Sequence, residues 1–163
     1  MDGSAAGASS DSGSNAGDLA YDTFYGAAIG GAAIACFFLA VDVLAGRPLH
    51  TPSMLGQVLF AGADPNAVTE VRLEMMAYFT VVHLVTFLAL GWVISLVLVF
   101  TGISRGNVPV VAGLVFIVVS ATFFAGDLLL MEGVAEAIGI PMILAANFVT
   151  ALAWAAFLKI AYG

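Results

Sequence analysis

Four polar residues stand inside long apolar stretches of this 163-residue sequence: Asp42, His83, Asp127 and Asn147, one to each stretch. Such groups are expensive in hydrocarbon, so they belong in the interior of a helical assembly or beside a water-filled path. Three chemistries suit them. A neutral imidazole, two carboxyl groups and an amide can form a buried hydrogen-bond network that pins helices together. Asp42, His83 and Asp127 can also act as a proton or ion relay. One imidazole with carboxylate or amide oxygens can hold Fe, Mn or Zn. No His-Glu-x-x-His, paired Cys-x-x-Cys or Gly-x-Ser-x-Gly motif sharpens the choice. Haem is disfavoured, because His83 is the only intramembrane His and His50 lies in a loop. The expectation is a buried polar layer with no catalytic residue and no cofactor. A metal held by Asp42, His83 and Asp127 is the alternative.

The stretches that must position these residues run over about 24–45, 76–100, 108–131 and 140–162. Each reaches the roughly 20 residues that cross the hydrocarbon core of a bilayer. In lipid such a segment must be helical, because its backbone groups have to be satisfied within it. The predicted fold is therefore an all-α, four-helix transmembrane bundle. Alternation of the spans fixes relative depth. Asp42 and Asp127 lie about 6 Å before the ends of spans one and three, and His83 and Asn147 about 10 Å after the starts of spans two and four. All four then fall in one layer, on the side of the first and third loops. Stripes of small and polar residues support convergence: Gly31, Ala35, Phe38 and Asp42; Thr80, His83, Thr86 and Gly91; Gly113, Ser120 and Asp127; Asn147, Thr150 and Trp154.

Composition agrees. The chain is 62% hydrophobic and 9% charged, too few charges to cover a soluble domain. Four Lys plus Arg against eleven acids leave no basic patch for nucleic acid or anionic headgroups. Cys36 is the only cysteine, so no disulfide framework exists within the chain.

Residues 1–20 form an acidic, Gly- and Ser-rich tail expected to be disordered, followed by a four-span domain over 21–163. The tail lacks a basic n-region, so the first span reads as a retained helix. Loops two and three are short, which predicts antiparallel neighbours. Loop one is long. In it Thr51-Pro52 reads as a cap followed by Pro at the first helical position, and Met54, Leu55, Val58 and Leu59 form an apolar face. That predicts a short interfacial helix, entered through Arg47, Pro48, Thr51 and Pro52. Arg47 reads as an anchor at the interface or a partner for Asp42. Asp64-Pro65 repeats the start signal and predicts a helix running on into span two. The basic residues divide evenly between the two sides; Arg105 in the tight turn, opposite the acidic turn with Glu132 and Glu136, favours cytoplasmic termini. Gly26 and Gly30 match the small-residue packing motif, for use within the bundle or between copies. Tyr21, Tyr25 and Tyr162 fit an aromatic belt.

The segment Leu44-Ala-Gly-Arg-Pro-Leu-His-Thr-Pro-Ser-Met-Leu-Gly-Gln-Val-Leu-Phe60 is similar to one in a group of uncharacterised small bacterial four-helix membrane proteins. In that group a first helix ends in Asp, a Gly-Arg-Pro turn and a Thr-Pro, Leu-Gly, Leu-Phe segment follow, and the second helix carries a His. Asp42, Gly46, Arg47, Pro48, Thr51, Pro52, Leu55, Gly56, Leu59, Phe60 and His83 match. The resemblance covers about half of the spanning region and implies the fold, with no activity attached.

The function expected is that of a non-enzymatic multi-pass protein of the cell membrane. It would be an accessory subunit or a self-associating bundle whose partners are the bilayer, further copies or a larger complex. A proton- or ion-coupled transport component and a metal-binding redox protein are the alternatives.

Overall fold

The computed structural model describes residues 8–162, with side chains from residue 19 onward, and these residues form six helices and no strand. In chain order they are α1 (Ala8–Leu44), α2 (His50–Ala61), α3 (Leu73–Thr101), α4 (Val108–Leu130), α5 (Val134–Ile138) and α6 (Ile140–Tyr162). Four segments are long and apolar enough to cross a membrane: Leu19–Leu44, Leu73–Thr101, Val108–Leu130 and Ile140–Tyr162. The shortest, at 23 residues, rises about 35 Å against a hydrocarbon core of about 30 Å. Large apolar side chains point outward in mid-span, among them Val81, Leu84 and Ile117, at 61%, 55% and 66% exposure. Lipid, not water, is the solvent that suits such a surface. The chain is a multi-pass membrane protein.

Helix α1 starts earlier than the apolar pattern does, and takes in residues 8–18 of the Gly- and Ser-rich segment. Extending a helix that already exists adds a bond for each residue fixed and needs no new nucleus. Residues 1–7 of the expected tail lie outside the described residues.

Two features of α1 organise the bundle. Its small residues let other helices come close, and both of its sides are used. A Cβ on Gly30 would lie 2.6 Å from Trp154 Cε3, and one on Gly26 would also collide with that indole. Trp154, 1% exposed, thus fills the seat that the Gly-x-x-x-Gly pattern leaves on α1. On the other side, a Cβ on Gly91 of α3 would lie 2.5 Å from the Thr23 carbonyl oxygen. Helix α1 is therefore packed between α3 and α6, and α6 also packs along α4.

One expectation needs correcting here. Helices α3 and α4 are joined by only residues 102–107, yet they touch sparingly. The short turn makes them antiparallel but does not make them partners. Each finds a closer fit elsewhere, α3 on α1 and α4 on α6.

Loop one also departs from its reading. The cap position of α2 is Leu49, not Thr51, and it is left-handed at φ 65°. That conformation costs a non-glycine residue about 1–2 kcal/mol. Asp64-Pro65 opens no helix. The Asp64 carboxylate accepts the Asn66 N–H at 2.9 Å, the Ala67 N–H closes a turn on the Asp64 carbonyl at 3.0 Å, and α3 begins only at Leu73. Side chains of α2 hold the chain open between these points. Ser53 Oγ accepts the Arg72 N–H at 2.7 Å, and Gln57 Nε2 donates to the Glu70 carbonyl at 3.0 Å. Backbone groups satisfied this way have no need of a helix.

The buried apolar residues form two clusters. One joins Phe87, Leu90, Ile94, Val115, Ala151 and Trp154 in the half of the bundle nearer the termini. The other joins Met54, Leu55, Val58, Val68 and Val134 on the loop side.

Candidate functional site

The four intramembrane polar residues do not converge on one another. No hydrogen bond links any two of them among the described residues, and each has a partner of its own.

Asp42, 5% exposed, accepts the Thr51 N–H on one carboxylate oxygen and the Thr51 hydroxyl on the other, each at 2.7 Å. Thr51 is the second residue of α2, where backbone N–H groups have no partner within the helix. Asp42 thus caps α2 from outside, and its negative charge sits at the positive end of the helix dipole. The guanidinium of Arg47 makes no ion pair; the two pairs among the described residues are Arg72–Glu74 and Arg105–Asp22. Pro48 lies in the turn before α2, and Pro52 in its first turn, where no N–H is missed.

Asp127 repeats the device. Its carboxylate accepts the N–H of Ala135 at 2.8 Å, and Ala135 is the second residue of α5. Both aspartates lie two or three residues before the end of a spanning helix and cap the short helix that follows.

His83 and Asn147 lie deeper. Helix α3 starts three residues earlier than its apolar pattern suggests, so His83 stands about 15 Å from the helix start, and Asn147 about 10 Å from the start of α6. The expected single layer is thus split into a rim of carboxylates and an inner pair made of an imidazole and an amide. His83 Nε2 meets the Gly31 carbonyl at 3.2 Å, which makes that nitrogen the donor and leaves Nδ1 as the acceptor. Its ring lies between Phe79 and Phe87, with centroids 5.9 and 4.7 Å away. Asn147 is fully buried. Its Nδ2 donates to Ser120 Oγ at 3.1 Å, and its Oδ1 has no partner. Thr150 bonds back to the Ala146 carbonyl at 2.9 Å and Trp154 fills the α1 seat, so the predicted α6 stripe is buried throughout. On α4, Gly113 is exposed and packs against nothing, which ends that stripe at Ser120.

The inner pair borders a cavity of about 490 Å³ in the loop-side half of the spans. Its walls come from the second half of α1, the first half of α3 and the second half of α4, with Leu55 and Leu59 of α2, Ile138 of α5 and Asn147 of α6. The cavity follows from the sparse contact between α3 and α4, which leaves unfilled space between the two apolar clusters. Apolar side chains make nearly all of its surface; His83, Asn147 and a few threonines are the exceptions. It is not sealed, since Leu39 and Leu130 at its edge are 42% and 68% exposed. Neither Asp42 nor Asp127 lines it. No group of three His, Cys, Asp or Glu comes close enough to hold a metal ion among the described residues.

Two polar clusters escaped the sequence reading. Asp22, 1% exposed, accepts a hydrogen bond from Arg105 Nε, and the guanidinium carbon stands 4.8 Å from the centre of the Tyr162 ring. This ties the α3–α4 turn to the start of the spanning part of α1 and to the end of α6. Asp22 lies between the acidic tail of residues 1–20 and the apolar run that starts near residue 24, and its place at the edge of that run, with Arg105 on the same side of the membrane, was the usable signal. His50 opens α2 and is buried. Burial chiefly lowers its pKa below the usual 6.5, the Arg47 charge lowers it further, and Asp42 opposes both.

No protein-family model, curated protein or solved structure matches this chain.

Proposed function

We propose that this protein is a non-enzymatic membrane protein that holds an apolar, lipid-derived molecule in the cavity between its spans. The cavity carries the reading. Its 490 Å³ falls within the roughly 300–1,000 Å³ of small-molecule sites, and its mostly apolar walls with a few polar groups match their usual make-up. A second protein helix is a poor occupant. A cylinder about 10 Å wide and 5.4 Å in pitch fills about 400 Å³ per turn, so the space holds little more than one turn. A flexible chain enters it more easily.

The polar residues favour this reading over the relay and metal readings. The two carboxyl groups that would carry a proton or a metal are themselves off the cavity wall and are committed to capping helices, although Thr51, which Asp42 caps, does line it. Cys36 and His83 both line the cavity, and no hydrogen bond joins them among the described residues. Residence in the cell membrane with cytoplasmic termini is part of the proposal; the basic residues divide evenly, Arg105 and Lys159 on the terminal side against Arg47 and Arg72 on the other, and the orientation rests on Arg105 in the tight turn standing opposite a turn that carries only acids, Glu132 and Glu136.

The test uses Gly126, which lines the cavity and has space for a side chain: a Cβ there meets only Met131 Cε, at 3.7 Å. Gly126→Leu fills the space and also suits a helix better than Gly. Native mass spectrometry of detergent-purified protein should find an apolar molecule near one per chain in the wild type and little in Gly126→Leu. Equal retention in the two proteins, or none in either, refutes the proposal.

A further inference from the structure

The inner wall of the cavity contains a defect that an apolar occupant alone would leave in place. Asn147 is fully buried, and its Oδ1 has no hydrogen-bond partner, while its Nδ2 is committed to Ser120 Oγ. A buried amide oxygen left unbonded is disfavoured, and buried polar groups in folded proteins nearly always find a partner. This oxygen can only accept. With the amide in this orientation the missing group is a donor, and because the oxygen has no water-accessible surface in this structure, a bound donor reaches it as the Asn147 side chain turns toward the wall.

The charge around the cavity narrows the class of donor. No Lys or Arg lines it, so a phosphate or carboxylate head would enter without a counter-charge. Among the described residues no Asp or Glu lines it, so an ammonium head would do the same. What remains is an uncharged O–H group on an apolar body. His83 adds a second acceptor on the wall, because its Nε2 is taken by the Gly31 carbonyl.

Resting on the cavity reading above, we infer that the bound molecule is an uncharged, hydroxyl-bearing lipid of the long-chain alcohol type, whose O–H donates to Asn147 Oδ1. The apolar body lies along the walls given by α1, α3 and α4, and the hydroxyl points to α6. Asn147 then selects the occupant among the many apolar chains of a bilayer. A site built to bond a hydroxyl discriminates strongly against the same body without a donor.

The experiment compares 1-hexadecanol with its methyl ether, which has the same chain and oxygen but no donor. Each is equilibrated with purified wild-type protein in dodecylmaltoside, and the amount retained per chain is measured by mass spectrometry after gel filtration. The wild type should retain the alcohol roughly tenfold more strongly than the ether. Asn147→Leu, eluting as the wild type does, should retain both alike. Equal retention of alcohol and ether by the wild type overturns the hydroxyl inference and leaves the cavity reading standing. Retention of neither overturns both. A tenfold preference that persists in Asn147→Leu overturns the role of the amide. If that variant does not fold, the alcohol–ether comparison on the wild type still decides.

Discussion

Asp42 and Thr51 are joined twice: one carboxylate oxygen accepts the threonine N–H and the other its hydroxyl, both at 2.7 Å. The chain between them turns through Gly46 and Leu49, both with positive φ. Two charge-assisted bonds offset the strain at Leu49 and dock α2 against the bundle. Asp127 and Ala135 form the weaker copy of this joint, with one bond and partial burial.

The difference between the joints is measurable. Asp42→Ala should destabilise the protein by about 2–3 kcal/mol, through loss of a cap and of buried bonds to a charged group. Asp127→Ala should cost about 1 kcal/mol. Denaturation in mixed micelles gives both values, and hydrogen exchange at the Thr51 and Ala135 amides should rise in the matching variant. A smaller effect at Asp42 than at Asp127 would show that the double bond does not dock α2.

Substitution of Gly26 or Gly30 tests whether that motif serves the chain or a second copy. Because each glycine faces the Trp154 indole, Gly30→Val should lower stability by about 3 kcal/mol or more through overpacking. The sedimentation behaviour of the folded fraction should not change. Stability equal to wild type with loss of an oligomer would place the motif between copies instead.

His50 predicts a response to acid. Its pKa in the folded protein is lowered from 6.5, mainly by burial, so the folded state resists the proton that the unfolded state accepts. Its contribution to stability is complete above about pH 6.5 and is lost as pH falls toward the folded value. The melting temperature should fall more between pH 7.5 and 5.5 in wild type than in His50→Gln. Parallel melting curves for the two proteins would rule this out.

The number, length and approximate limits of the spans were legible in the sequence, as was the short helix between the first two. A spanning helix is a local object: an apolar run long enough for the bilayer, with every backbone bond made inside the run. Depth is only partly local: Asp42, His83, Asp127 and Asn147 lie in the loop-side half, but the early start of α3 at Leu73 puts His83 deeper than the single layer expected. The pattern gave no warning of the extended stretch at residues 62–72, because Ser53 and Gln57 supply its hydrogen bonds from another element.

The tertiary structure alone decided which residues meet. Hydrogen bonds are made or lost over fractions of an ångström, and hydropathy carries no lateral information. Whether α3 packs on α4 or on α1 depends on where Gly91 lets the α3 backbone approach Thr23 of α1, and that choice leaves the cavity open. The sequence by itself determined how many times the chain crosses a membrane and in which half of the spans Asp42, His83, Asp127 and Asn147 sit. Only the folded arrangement separated two carboxylates that cap helices from a histidine and an asparagine that face a cavity, because that distinction lies in the directions of side chains across neighbouring helices.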